Sequence, residues 1–127
     1  MSSPGFENLR VWHDARRLTV RIYVATRDGP ISRDFGLRDQ IRRATVSVMS
    51  NIAEGHERGG RKEFVRFLQI AKGSAAEVRS QLYAMEDIGY IDAHAAIELR
   101  SDVLTLSRRI AALIGKARAS ARQENDD

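Results

Sequence analysis

The sequence predicts an all-α protein, an antiparallel up-down-up-down four-helix bundle, from three observations. Apolar residues recur at spacings of three and four in four separate segments. No stretch offers the alternation or β-branched clustering of a strand. The breaks between segments are short and built from glycine, proline and aspartate, so consecutive helices must lie side by side and antiparallel.

The first helix is expected from about Glu7 to Arg27, with Val11, Ala15, Leu18, Ile22 and Ala25 on its core face and Trp12 and Thr19 flanking. Asp28, Gly29 and Pro30 stop it. Ser32 to Gly36 read as a loop whose Phe35 tucks beneath the bundle end, and the second helix follows from about Leu37 to Glu57. After the Gly59–Gly60 break, the third runs from about Arg61 to Ile88 on a stripe of Phe64, Phe67, Leu68, Ala71, Ala75, Val78, Leu82 and Met85. Small residues at Gly73, Ser74, Ala75 and Ala76 thin its middle and let another helix approach. Gly89 is placed to cap it, with Tyr90 and Ile91 folding back as a hydrophobic contact. Asp92 then N-caps the fourth helix, expected to reach about Arg118 with Leu99, Val103, Leu106, Ile110 and Leu113 as its seam. An acidic flexible tail, 119–127, completes one domain spanning 1–127.

The second helix carries the most information. At about 100° per residue, Leu37, Ile41, Ala44 and Val48 share a narrow stripe that Asn51 and Gly55 extend. An amide near the core costs on the order of 1–3 kcal/mol unless hydrogen-bonded, which implies a local polar network or a partly wet bundle end. Arg43, Ser47, Ser50 and Glu54 form a polar row, and Val46, Met49 and Ala53 a second apolar one.

A solitary bundle needs only one apolar stripe per helix. Besides Val46, Met49 and Ala53, this chain has Val20 and Val24 opposite the first helix's core face, and Ile97, Leu104 and Ala111 about 140° round the fourth helix from its seam. These rows are expected to be subunit contacts of a homo-oligomer.

Composition narrows the function. The 127 residues contain no cysteine, so disulfides, thiolate metal sites and cysteine nucleophiles are excluded. No run of about 18 apolar residues exists and the N-terminus MSSPGFENLR lacks a signal-peptide core, so no membrane association is expected and the cytoplasm is the expected location. The formal charge is +4, and eighteen of the twenty-one basic residues are arginine. Basic residues outnumber acidic ones nine to five from Arg38 to Arg79 and five to one from Arg100 to Arg118. Such segregation suits a polyanionic partner.

Catalysis finds no support. His13, His56 and His94 have no metal-ligand spacing, and no Glu-x-x-His pair offers a di-iron site, so no metal or other cofactor is expected. Glu54 and Glu57 beside His56 imitate an acid–base pair but sit at a helix end with a glycine break, and ERGGRKE lacks both the Walker spacing and a preceding strand. The chain is expected not to be an enzyme.

Together LRVWHDARRL, FGLRDQIRRATVSVMSNIAEG, KEFVRFLQIAKGSAAEVRSQL and GYID resemble the bundle proteins encoded in intervening sequences of bacterial 23S ribosomal RNA genes, sometimes labelled S23-like. The resemblance covers nearly the whole chain, with Ser50, Asn51, Glu54 and Gly55 in its central motif. It implies a bacterial antiparallel bundle, assembled as a closed homo-oligomer, typically a pentamer, of no known enzymatic activity and unknown function. It also points to accessory proteins of diversity-generating retroelements, basic pentameric bundles that engage nucleic acid and a reverse transcriptase. Met49 stands where many members have proline, so a milder kink is expected in the second helix.

The candidate nucleic-acid-binding residues are a row on the first helix, Arg10, Arg17 and Arg21, then Arg42 and Arg43, then Arg58, Arg61, Lys62 and Arg66 around the second turn. Contacts of this kind would go to phosphates of RNA or DNA and be strongly salt-dependent. The competing reading makes the arginines architectural, with Arg43 paired to Glu54 or Glu57 and Arg17 and Arg21 paired across a subunit boundary. The sequence thus favours a non-catalytic homo-oligomer that binds structured RNA, with a scaffold for a protein partner as the alternative.

Overall fold

The computed structural model describes residues 5–126, with side chains for 5–120, 122 and 123. It is all helical among them: α1 spans Arg10–Ala25, α2 Phe35–Glu57, α3 Arg61–Ile88 and α4 Ala93–Asp126, with short 3-10 turns at Phe6–Asn8 and Pro30–Arg33. Neighbours along the chain pack side by side, and α4 returns to α1 to close the four-helix bundle.

Each helix boundary has a local cause. Leu9 is extended (φ −86°, ψ 124°), which separates the 3-10 turn from α1, so the continuous helix expected from Glu7 begins only at Arg10. Beyond Ala25, Thr26 is fully buried and its hydroxyl donates to the Ile22 carbonyl at 2.8 Å. Pro30–Arg33 and the start of α2 replace the expected loop. Asp34 N-caps α2, its carboxylate accepting from the Leu37 amide at 3.2 Å, and so α2 starts two residues before Leu37. Phe35 does not tuck under the bundle: it is 63% exposed on the first turn, and Ile31, 1% exposed, plugs that end instead.

The α3 to α4 turn forms as the glycine predicts. Gly89 is left-handed (φ 91°) and donates to the Glu86 carbonyl at 3.0 Å, while Tyr90 donates to Met85 at 2.8 Å, the paired bonds of a Schellman cap. Tyr90 and Ile91 fold back on the core, and the Asp92 carboxylate accepts from the Ala95 amide at 2.8 Å to start α4. The fourth helix does not stop near Arg118. It continues to Asp126 because Lys116 to Gln123 contains no glycine or proline and is rich in alanine and arginine. The segment expected as a flexible tail is therefore helical, except Asp127, which lies outside the described residues.

The core is aliphatic. Ile22, Ile41, Ile52, Leu68, Leu82, Met85 and Ile110 are fully buried. Along α2 the buried positions are Ile41, Ala44, Thr45, Val48, Ile52 and Gly55, so Ile52 occupies the core while Asn51 stands half-buried on its flank. Gly55 is required by contact: a Cβ there would stand 2.5 Å from Phe67 Cβ, which the α3 backbone holds in place.

Candidate nucleic-acid interface

The polar network implied by Asn51 is present at the α2/α3 seam. Asn51 Nδ2 donates to the Ser47 carbonyl at 2.8 Å and to Ser47 Oγ at 3.0 Å, and Ser47 Oγ shares a 2.9 Å hydrogen bond with the buried Ser74 Oγ. The amide is thus satisfied within the subunit. Ser50 and Glu54 are exposed, and Glu54 binds Arg58 at 2.9 Å rather than Arg43.

The arginines divide into two groups. Arg42 is half-buried against α1: Nε donates to Thr26 Oγ1 at 2.9 Å, Nη2 to the Thr26 carbonyl at 3.3 Å, and the guanidinium lies 4.5 Å from the Tyr23 ring centre. It closes the C-terminus of α1 and offers little to a ligand. Arg21 reaches α4, where it contacts Asp102 and, at 3.8 Å, Glu98. Arg17 binds Asp14 at 3.0 Å, and Asp14 also accepts from Arg109 at 2.7 Å. Arg17 and Arg21 therefore pair within one chain, and no boundary between subunits is needed to explain them.

The second group gathers around the turn between α2 and α3. Arg58 and Arg66 lie 5.0 and 4.6 Å from the Phe67 ring centre, with Glu63 contacting both at 4.0 and 3.1 Å. The Arg66 guanidinium hydrogen-bonded to Glu63 holds that carboxyl below the usual carboxylate range. Arg61 and Lys62 are exposed in the first turn of α3. Arg10 and Arg43 are exposed, and neither makes an ion pair among the described residues.

Antiparallel packing gathers the N-termini of α1 and α3 and the C-termini of α2 and α4 at one end of the bundle. Residues 5–17, 51–72 and 108–122, which belong to that end, carry thirteen basic and five acidic side chains. Residues 18–50 and 73–107 carry eight basic and nine acidic. Arg10, Arg17, Arg58, Arg61, Lys62 and Arg66 lie toward the basic end, whereas Arg21, Arg42 and Arg43 do not. The candidate residues left out Lys116 and Arg118, which lie in the fourth helix as expected, and Arg122, which the continuation of α4 past Arg118 carries to that end.

The family follows from a match to the model described as 23S rRNA-intervening sequence protein, over residues 7–112. The chain belongs to that family. Its described residues also superpose with the crystal structure of a protein of unknown function from the S23 ribosomal protein family of Bacteroides thetaiotaomicron VPI-5482, at a TM-score of 0.75 and 23% identity, covering 82% of this chain and 97% of the other. At that identity the likeness establishes the bundle. No curated protein matches the chain.

Among the described residues no group of three or more histidine, aspartate or glutamate side chains is placed to hold a metal ion. Nor is any helix among them long and apolar enough to cross a membrane. Of the residues expected at subunit contacts, Val20, Val24 and Ile97 are 58, 51 and 58% exposed and Ala111 is exposed, whereas Val46, Met49, Ala53 and Leu104 are half-buried. Met49 leans on the subunit's own core.

Proposed function

We propose that this member of the 23S rRNA-intervening sequence protein family is a non-catalytic homo-oligomer that binds structured RNA through the basic end of its bundle. The observation that carries the reading is the convergence of thirteen basic side chains on one end, although they are scattered along the sequence. Exposed lysine and arginine on a rigid helical frame suit the phosphate backbone, where each neutralised phosphate releases condensed counterions. Arg58, Arg61, Lys62 and Arg66 supply the centre of the surface, and Lys72, Lys116, Arg118 and Arg122 extend it along α3 and α4. Arg42, engaged with Thr26, is assigned to structure instead.

Assembly through the exposed Val20, Val24 and Ile97 would multiply this end by symmetry and raise avidity without any new contact. Affinity for a structured RNA, followed by fluorescence anisotropy across a salt series, is expected to fall linearly with salt on logarithmic axes. A Lys62→Gln/Lys116→Gln variant is expected to weaken binding and flatten the slope by about one unit for each phosphate left without its cation. Binding that ignores both salt and the substitutions would refute the assignment.

A further inference from the structure

Between α1 and α4 lies a half-open cleft of about 450 Å³ whose walls carry Arg10, Arg17, Arg21 and Arg109. Only Asp14 and Asp102 oppose them in its lining, with Glu98 touching Arg21 from outside. Asp14 is shared between Arg17 and Arg109, and Arg10 has no carboxylate partner among the described residues. The cleft thus has two more cations than anions. Its floor is apolar, formed by the buried Leu18 and Leu106, and Thr105 adds a hydroxyl at the wall.

We propose that this cleft is a binding site for a phosphate-bearing ligand, a pyrophosphate or phosphomonoester group held by the arginine walls. Three properties support the chemistry. Guanidinium groups meet phosphate oxygens through paired N–H donors, which suits them to a tetrahedral oxyanion. The excess of guanidinium groups over carboxylates, which Glu98 at Arg21 trims to one, favours an anion. An apolar floor excludes water on one side and strengthens the attraction relative to a flat surface. Arg17 is 71% exposed, so its guanidinium can turn from Asp14 toward a ligand while Arg109 keeps that carboxylate paired.

The phosphate could arrive on a small molecule or at the end of an RNA chain. Only the second source rests on the RNA-binding reading above. Inorganic pyrophosphate, AMP, a 5′-phosphorylated RNA oligonucleotide and its 5′-hydroxyl counterpart are titrated into the full chain by calorimetry. Binding of pyrophosphate or AMP supports the site with a free ligand, and preference for the 5′-phosphorylated oligonucleotide alone supports it with an RNA end. In either case Arg10→Gln/Arg17→Gln is expected to weaken binding at least about tenfold. Asp102→Asn, which removes an opposing charge, is expected to tighten it severalfold, an effect that a damaged fold would not produce. The Lys62→Gln/Lys116→Gln variant, impaired at the RNA surface, is expected to keep its pyrophosphate affinity. No binding of any phosphate probe, or binding that neither cleft variant alters, would overturn the proposal.

Discussion

Asp34 and Tyr90 hold the bundle end away from the basic pole through a single 2.8 Å hydrogen bond across 56 positions of chain. The Leu37 amide and the Tyr90 hydroxyl both favour the Asp34 carboxylate and depress its pKa, outweighing a small opposing effect of burial. A depressed folded value means that the contribution to stability is present above the unfolded pKa and disappears as pH falls through the folded one. Tyr90 shifts upward for the reciprocal reason, chiefly because its proton is held by Asp34, so its contribution is complete below the unfolded tyrosine value and lost as pH rises through the folded value. Tyr90→Phe is therefore expected to lower the melting temperature at neutral pH. The deficit should shrink at acid pH, as the Asp34 carboxylate protonates in both proteins, and again at strongly alkaline pH, as Tyr90 itself ionises. Thermal melts across pH measure this, and a deficit unchanged from acid to alkali would contradict it.

At the scale of the helix, Arg42 shows how an element borrows its cap from a neighbour. The carbonyls of Ile22, Tyr23 and Val24 at the end of α1 accept from the amides of Thr26 and Arg27, and Arg42 of α2 fixes that cap by donating to the Thr26 hydroxyl and carbonyl while stacking on Tyr23. Arg42→Ala is expected to cost about 1.5–3 kcal/mol in chemical denaturation, with RNA affinity at the basic end unchanged. A loss of RNA binding without a loss of stability would return Arg42 to the interface. This residue also marks the limit of what sequence conveys. Periodicity and glycine breaks located α3 from Arg61 to Ile88 and the Gly89 and Asp92 caps, because those signals are local. Arg42 looks like its exposed neighbour Arg43 in sequence, and what separates them is which one meets Thr26, a contact set by tertiary packing. The N-cap at Asp34 went unnoticed, because Ser32 to Gly36 reads as a loop, although an aspartate three residues before Leu37 is a helix-start pattern. Ile31 was missed because an isolated isoleucine in a glycine–proline link has no periodicity to betray its burial. Among the candidate site residues, the cluster around the second turn was readable as a cluster; its enlargement by Lys116, Arg118 and Arg122 required the third-dimensional pairing of α4 with α3.

On the scale of the whole molecule, the bundle has a basic pole and a weakly acidic remainder, with exposed aliphatic residues on α1 and α4. Arrangement of copies through those residues is what would turn one pole into an array. Val20→Glu/Ile97→Glu is expected to convert an oligomer to monomers in light scattering, with little change in subunit stability because both positions are already open to solvent. A wild-type protein that is monomeric at micromolar concentration would contradict the assembly. Whether the basic pole is the RNA surface is tested most directly by cross-linking the wild-type protein to a structured RNA and mapping the adducts by mass spectrometry. The expected result is adducts concentrated at Lys62, Lys72, Lys116 and their neighbours at that end. Adducts concentrated instead around Arg79, Tyr83 and Arg100, toward the opposite end, would contradict the account.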